Sequence, residues 1–150
     1  MELVAIIDDE LSNCGFKKRQ TTWYFKTARG VLVLDLQKSA YGHQFYINLA
    51  SAPIEVETIG YPTPKEYKCP LRLRLDSAYP QLSDELKLVL DLENLSIGDE
   101  GRTAVIRRVV SEYSVPFLMK LDGMQKIKRS LHDGSLDRAF VALALGKFTS

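Results

Sequence analysis

Cysteine and histidine are scarce in this 150-residue chain, two of each. They are also scattered, since no two of Cys14, His43, Cys69 and His132 fall within five positions of one another. Zinc sites draw on close ligand pairs, so this spacing predicts no metal centre, and nothing else in the chain asks for a cofactor. No apolar run approaches the roughly 20 residues that a membrane-spanning helix needs. The net charge is only +1, too small for a protein devoted to coating nucleic acid. The residues Met1, Glu2, Asp8, Asp9 and Glu10 make the start acidic where a secretory signal is basic. Cys14 and Cys69 read as buried, reduced thiols. These absences predict a cytoplasmic protein without membrane association. With no internal repeat, low-complexity tract or linker, they also predict a single domain over 1–150.

Catalytic signatures are missing as well. There is no Gly-x-Ser-x-Gly elbow, and Gly98-x-x-Gly101 lacks the third glycine and the lysine of a phosphate loop. Cys14 falls near a helix C-terminus, where the dipole opposes a thiolate. Asp8-Asp9-Glu10 reads as a solvated helix face. Asp35 stands without the second carboxylate that a metal-dependent nuclease needs beside it. The chain is expected to be a non-enzyme.

What is present is a folding composition, 45% apolar and 26% charged, in a length that buries roughly 70% of its unfolded surface. Charge is uneven: 76–101 holds seven acidic residues and one basic, and 102–150 holds nine basic and four acidic. Leu3, Ile6, Ile7, Leu11 and Cys14 recur at helical spacing and Gly15 follows as a cap, which predicts a first helix of about three turns. Thr21–Lys26 is rich in strand formers, and a turn follows at Ala28-Arg29-Gly30. Val31–Lys38 and Gln44–Ala50 are the clearest strands. Pairing Leu36 with Phe45, Leu34 with Ile47 and Leu32 with Leu49 gives one continuous apolar face. The same register sets Gln37 beside Gln44, Asp35 beside Tyr46 and Val33 beside Asn48. Leu71, Leu73 and Leu75 alternate with Arg72 and Arg74 as a further strand.

Leu86, Leu88, Leu90 and Leu92 alternate too. A helix over that stretch catches Leu82, Leu86, Val89 and Leu90 but leaves Leu88 and Leu92 outside, so 86–92 is read as strand. From Arg102 the period is helical: Val105 to Tyr113 up to a stop or kink at Pro116, then Met124 to Leu131, then Leu136 to Ala144 closed by Gly146 and Lys147. The expected fold is therefore α+β. It has an antiparallel sheet of about five strands after an N-terminal helix, with a C-terminal set of helices packed on one face.

Parity singles out one surface. Asp35, Gln37, Gln44, Tyr46 and Asn48 fall on the hairpin face away from the core, and Arg72 and Arg74 join them from the neighbouring strand. Helices on one side leave such a face wet, yet amide, tyrosine and arginine side chains are typical of surfaces that bind partners. Within 37–48, Ser39, Gly42, Phe45 and Ile47 are expected to build the hairpin, and Gln37, Gln44 and Tyr46 to interact. A protein partner is the first expectation. The alternative is a single-stranded nucleic acid held by Lys17, Lys18, Arg19, Lys26, Arg72 and Arg74, with Trp23, Tyr24 and Tyr46 stacking bases. A small enzyme with a non-contiguous site is the third.

Several runs carry a resemblance: Gly15-Phe16-Lys17-Lys18-Arg19, Thr22-Trp23-Tyr24, Leu36-Gln37-Lys38-Ser39-x-Tyr41-Gly42-x-x-Phe45-Tyr46-Ile47-Asn48-Leu49, Cys69-Pro70-Leu71-Arg72-x-Arg74-Leu75 and Val115-Pro116-Phe117-Leu118. The sequence resembles a bacterial family known only as a domain of unknown function (four-three-zero-four), from Gly15 to about Gly146. It departs at Asp84–Glu93, where leucines replace a tryptophan-bearing segment. The resemblance implies a small cytosolic bacterial protein without assigned catalytic residues. By analogy of size and build it implies an immunity-like protein that binds and blocks a toxin.

Overall fold

Leu3, Ile6, Ile7 and Leu11 lie on one side of helix α1 (Leu3–Asn13) and are all buried. The helix ends before Gly15, whose φ of +91° suits the residue that leaves a helix. Cys14, expected to be buried, is exposed, because the helix stops at Asn13 before the apolar stripe reaches it. The computed structural model describes residues 3–149; the acidic start at Met1 and Glu2 lies outside them.

Six antiparallel strands follow: β1 (Lys17–Arg19), β2 (Thr22–Thr27), β3 (Gly30–Lys38), β4 (Phe45–Pro53), β5 (Leu71–Arg74) and β6 (Phe140–Val141). They lie side by side in chain order. The fold class is α+β, an N-terminal helix and an open antiparallel sheet with C-terminal helices packed on it.

The β3–β4 hairpin has the expected faces but not the expected register. Leu36 pairs with Ile47, Leu34 with Leu49 and Asp35 with Asn48, two residues from the alignment read off the sequence. A slip of one residue turns every side chain over, but a slip of two preserves both faces, so the apolar pattern cannot tell these registers apart. The ends of the hairpin decide it. At one end Gly30 pairs with Pro53, so close that an added Cβ would lie 2.4 Å from the Ala52 carbonyl oxygen. At the other, the Ser39 N–H donates to the Gln44 carbonyl at 2.8 Å.

Residues 86–92 are not a strand. Helix α2 (Leu75–Ala78) follows β5, and helix α3 (Ser83–Val89) takes up the leucine-rich stretch. Leu82, Leu86, Val89 and Leu90 are buried, the set that helical spacing selects, while Leu88 and Leu92 pack half-buried at the margin. Asp84 and Glu85 in the first turn and Lys87 in the last complement the helix dipole. The alternation of leucines mimicked a strand only because the margin of the core is wide enough to shelter both outliers.

Helix α4 (Asp99–Arg108) runs through a π-helical turn, Val109–Ser114, into α5 (Val115–Met119). Pro116 therefore does not end the helix. The wider turn precedes the residue that cannot donate to the ladder, and the Ser114 hydroxyl bonds the Val109 carbonyl at 3.0 Å. Helix α6 (Met124–His132) follows. The expected last helix does not form as read. Residues 136–139 are turns and a bend, and Phe140–Val141 join β5 as an edge strand, anchored by the Ala142 N–H on the Pro70 carbonyl at 2.8 Å. Helix α7 (Leu143–Thr149) begins after it and runs through Gly146 and Lys147 instead of closing there.

One large core lies between the sheet and the helices, with Trp23, Leu32, Leu34, Ile47, Leu49 and Leu71 meeting Ile7, Leu11, Ile106, Val110, Phe117 and Ile127. The acidic side of α1 is more than a solvated face. Asp8 accepts from the Trp23 indole at 3.0 Å, and Asp9 and Glu10 hold Arg107 of α4. No helix among the described residues is long and apolar enough to cross a membrane.

Candidate functional site

Strand parity sends Trp23, Leu34, Leu49 and Leu73 towards the helices, and their neighbours in sequence to the opposite face. Pairing lines those neighbours into rows across the strands. One row reads Arg19, Thr22, Asp35, Asn48 and Arg74; the next reads Tyr24, Val33, Ala50, Arg72 and Phe140; a third pairs Gln37 with Tyr46. Half of this face is closed by the long connection between β4 and β5. Tyr24, Val31, Val33, Ala50, Ala52 and Cys69 form a second, small core beneath it, and the Tyr24 hydroxyl donates to the Pro64 carbonyl at 2.9 Å.

The open half is held by hydrogen bonds. The Thr22 hydroxyl donates to Asp35 at 2.7 Å. The Asn48 amide nitrogen donates to Gln37 Oε1 at 2.8 Å and lies 3.5 Å from Asp35 Oδ2. Asn48 is only 5% exposed, so it serves as the buried clamp of this network. Flanking it, the Arg74 guanidinium lies 3.8 Å from the centre of the Tyr46 ring, and that of Arg72 lies 4.5 Å from the Phe140 ring. Stacking restrains each planar guanidinium group. The Nε of Arg72 is buried without a hydrogen-bond partner.

Glu66, in a single 3-10 turn of the long connection (Glu66–Lys68), reaches the same place. Burial pushes its carboxyl above the usual range; Arg72 and Arg74 pull the other way, and Asp35 adds to the rise. Burial likewise pushes the Cys69 thiol up to about 12, with Glu66 adding and Arg72 opposing. A thiol held that high is inert. Chemically, the open half offers fixed cationic and amide donors beside a carboxyl that retains its proton more readily than usual.

Six of the seven residues expected to form the site, Asp35, Gln37, Tyr46, Asn48, Arg72 and Arg74, share this face. Gln44 does not join the network. It precedes β4 in an isolated bridge with Asp91 and donates to the Phe45 carbonyl at 3.0 Å. It lines a shallow hollow of about 100 Å³ shared with Tyr46, Arg74 and Lys87. Thr22, Glu66 and Phe140 belong to the site and were not anticipated. Thr22 was open to the same parity argument, but Glu66 lies in a connection without periodicity and Phe140 in a stretch that read as helix. Of the aromatics proposed for base stacking, Trp23 is 0% and Tyr24 8% exposed, so only Tyr46 offers a ring at the surface.

Among the described residues no group of three or more His, Cys, Asp or Glu side chains is placed to hold a metal ion. No curated protein and no solved structure matches the chain significantly. A family model does match, over residues 7–119, a span that runs from α1 through α5 and contains the whole site except Phe140. The chain belongs to the family described as Domain of unknown function (DUF4304).

Proposed function

We propose that this chain is a non-enzymatic protein-binding domain that covers a partner's surface with the open half of its sheet. The observation that carries the reading is the pre-arranged row Thr22–Asp35–Asn48–Gln37 flanked by two arginines stacked on aromatic rings. Arginine and aromatic side chains dominate the energetics of protein interfaces, and fixing them in advance lowers the entropy lost on binding. Neither Arg72 nor Arg74 forms an ion pair with a carboxylate among the described residues. Their charge is therefore free for a partner.

In its sharper form the reading is immunity-like: a small bacterial, cytoplasmic protein that blocks a toxin by occlusion. Its support is an analogy of size and build together with the polar, arginine-bearing face. The test is co-expression with the products of neighbouring genes, followed by size-exclusion chromatography and a growth assay. A complex with one neighbour, broken by Arg74→Glu on the face and kept by Lys128→Glu on α6, is the expected result. A complex that ignores Arg74→Glu, or neighbours that neither bind nor lose toxicity, would sink it.

A further inference from the structure

We infer that the surface recognised by this face is an extended acidic segment of the partner protein, with carboxylates at alternate positions. The inference rests on the protein-binding reading above and gives that partner its chemistry.

Arg72 and Arg74 are two residues apart on one strand and point to the same side, so their anchor points are separated by roughly 7 Å. Alternate side chains of an extended segment have that same spacing, so two carboxylates on one side of such a segment meet both forks in register. The Arg72 Nε is buried and unpaired, so Arg72 meets a carboxylate through its terminal nitrogens. Stacking on Phe140 and Tyr46 restrains both guanidinium groups before binding.

Glu66, in the neighbouring 3-10 turn, lies within the electrostatic reach of both arginines. It feels both arginines and Asp35 yet forms no ion pair with either arginine among the described residues. Its negative charge, where ionised, opposes an incoming carboxylate beside the arginines. A nucleic-acid backbone suits a chain of net charge only +1 less well. The exposed Phe140 beside Arg72 suits the apolar residues interleaved in a protein strand.

The test titrates the full chain into three fluorescein-labelled probes: the peptide Ser-Glu-Val-Glu-Val-Glu-Ser, its counterpart with glutamine for each glutamate, and a short oligodeoxythymidylate. The glutamate peptide should bind about tenfold or more tightly than the glutamine peptide, consistent with two charge-assisted contacts. Arg72→Gln and Arg74→Gln should each remove most of that preference, and Glu66→Gln should strengthen glutamate-peptide binding severalfold. Equal or undetectable binding of the two peptides overturns the inference, as does a preference that survives both arginine variants. Should a neighbour's complex still break on Arg74→Glu, protein binding stands and only the acidic segment falls. Tighter binding of the oligonucleotide than of either peptide overturns both.

Discussion

Arg102 is 2% exposed in α4, and its guanidinium reaches the far end of α3. It donates to the carbonyls of Val89 and Asp91 at 2.8 Å, of Asn94 at 2.5 Å and of Leu88 at 3.4 Å. The last carbonyls of a helix have no partners within the helix, and the negative end of the dipole favours a cation there. One side chain thus closes α3 and fixes the loop that leads into α4. Arg102→Met keeps much of the length and the apolar stem but removes every donor. Each buried carbonyl left unpaired costs about 1–3 kcal/mol, and those nearest the surface recover water. Relief from burying a charge offsets part of the loss, leaving a net destabilisation of about 3–5 kcal/mol, the range for breaking a buried charged contact. At ~2–4 °C per kcal/mol for a domain of this size, the melting temperature should fall by about 6–20 °C. Arg102→Lys keeps three donors on a point charge and should fall between the two. Urea midpoints and calorimetric melts of the three proteins check the order. If methionine melts within about 2 °C of arginine, the carbonyl cluster is solvated and the role assigned to Arg102 is wrong.

Three further outcomes are expected. Asn48→Ala should destabilise by about 1–3 kcal/mol, since it strips a buried network, whereas Gln37→Ala, which removes one rim acceptor of that network, should cost less, about 0.5–1.5 kcal/mol; matched urea melts compare them. Burial raises the Asp122 carboxyl, but the Arg29 and Thr27 hydrogen bonds outweigh it and hold the group below its usual range. Its stabilisation is therefore present above the unfolded value and lost as pH falls through the folded one, so the deficit of Asp122→Asn at pH 7 should shrink below about pH 4. Asp8→Ala leaves the buried Trp23 indole N–H unpaired and should cost about 1–3 kcal/mol, read by the fluorescence of the sole tryptophan during unfolding.

Much of the fold was legible because one-sided burial writes a period into the sequence. The stripe of α1 up to Leu11, the alternation of β3 and β4 and the leucines Leu71 and Leu73 of β5 each face a single core and were read so. Cys14, however, proves exposed, and Leu75 opens α2 rather than continuing the strand. The errors fall where that condition fails. Leu88 and Leu92 sit at the margin of the core, so burial by helix spacing and by alternation differ little there. Phe140–Val141 form a strand of two residues, too short for any period, and they are placed by pairing with Leu71 and Arg72 from far along the chain. The hairpin register was beyond the pattern because displacement by two residues is invisible to alternation. It was set instead by Gly30, whose missing side chain lets the strands close at Ala52 and Pro53.

The same limits explain what was seen of the site. Parity needs only the identity of the strands, so it placed Asp35, Gln37, Tyr46, Asn48, Arg72 and Arg74 on one face despite the wrong register. Register governs which of them touch. The alignment read from the sequence put Asp35 beside Tyr46, and in that arrangement Asn48 faces Val33 and clamps nothing. The true pairing sets Asp35 against Asn48 and Asn48 against Arg74. That two-residue shift turns a loose set of polar side chains into a hydrogen-bonded row with an arginine at its end. A residue that composition assigns to the wet surface is buried to 5% because its amide satisfies a carboxylate and a carbonyl oxygen at once. The ordered row, rather than polarity alone, is what makes this half of the sheet a better candidate for binding than a solvated face.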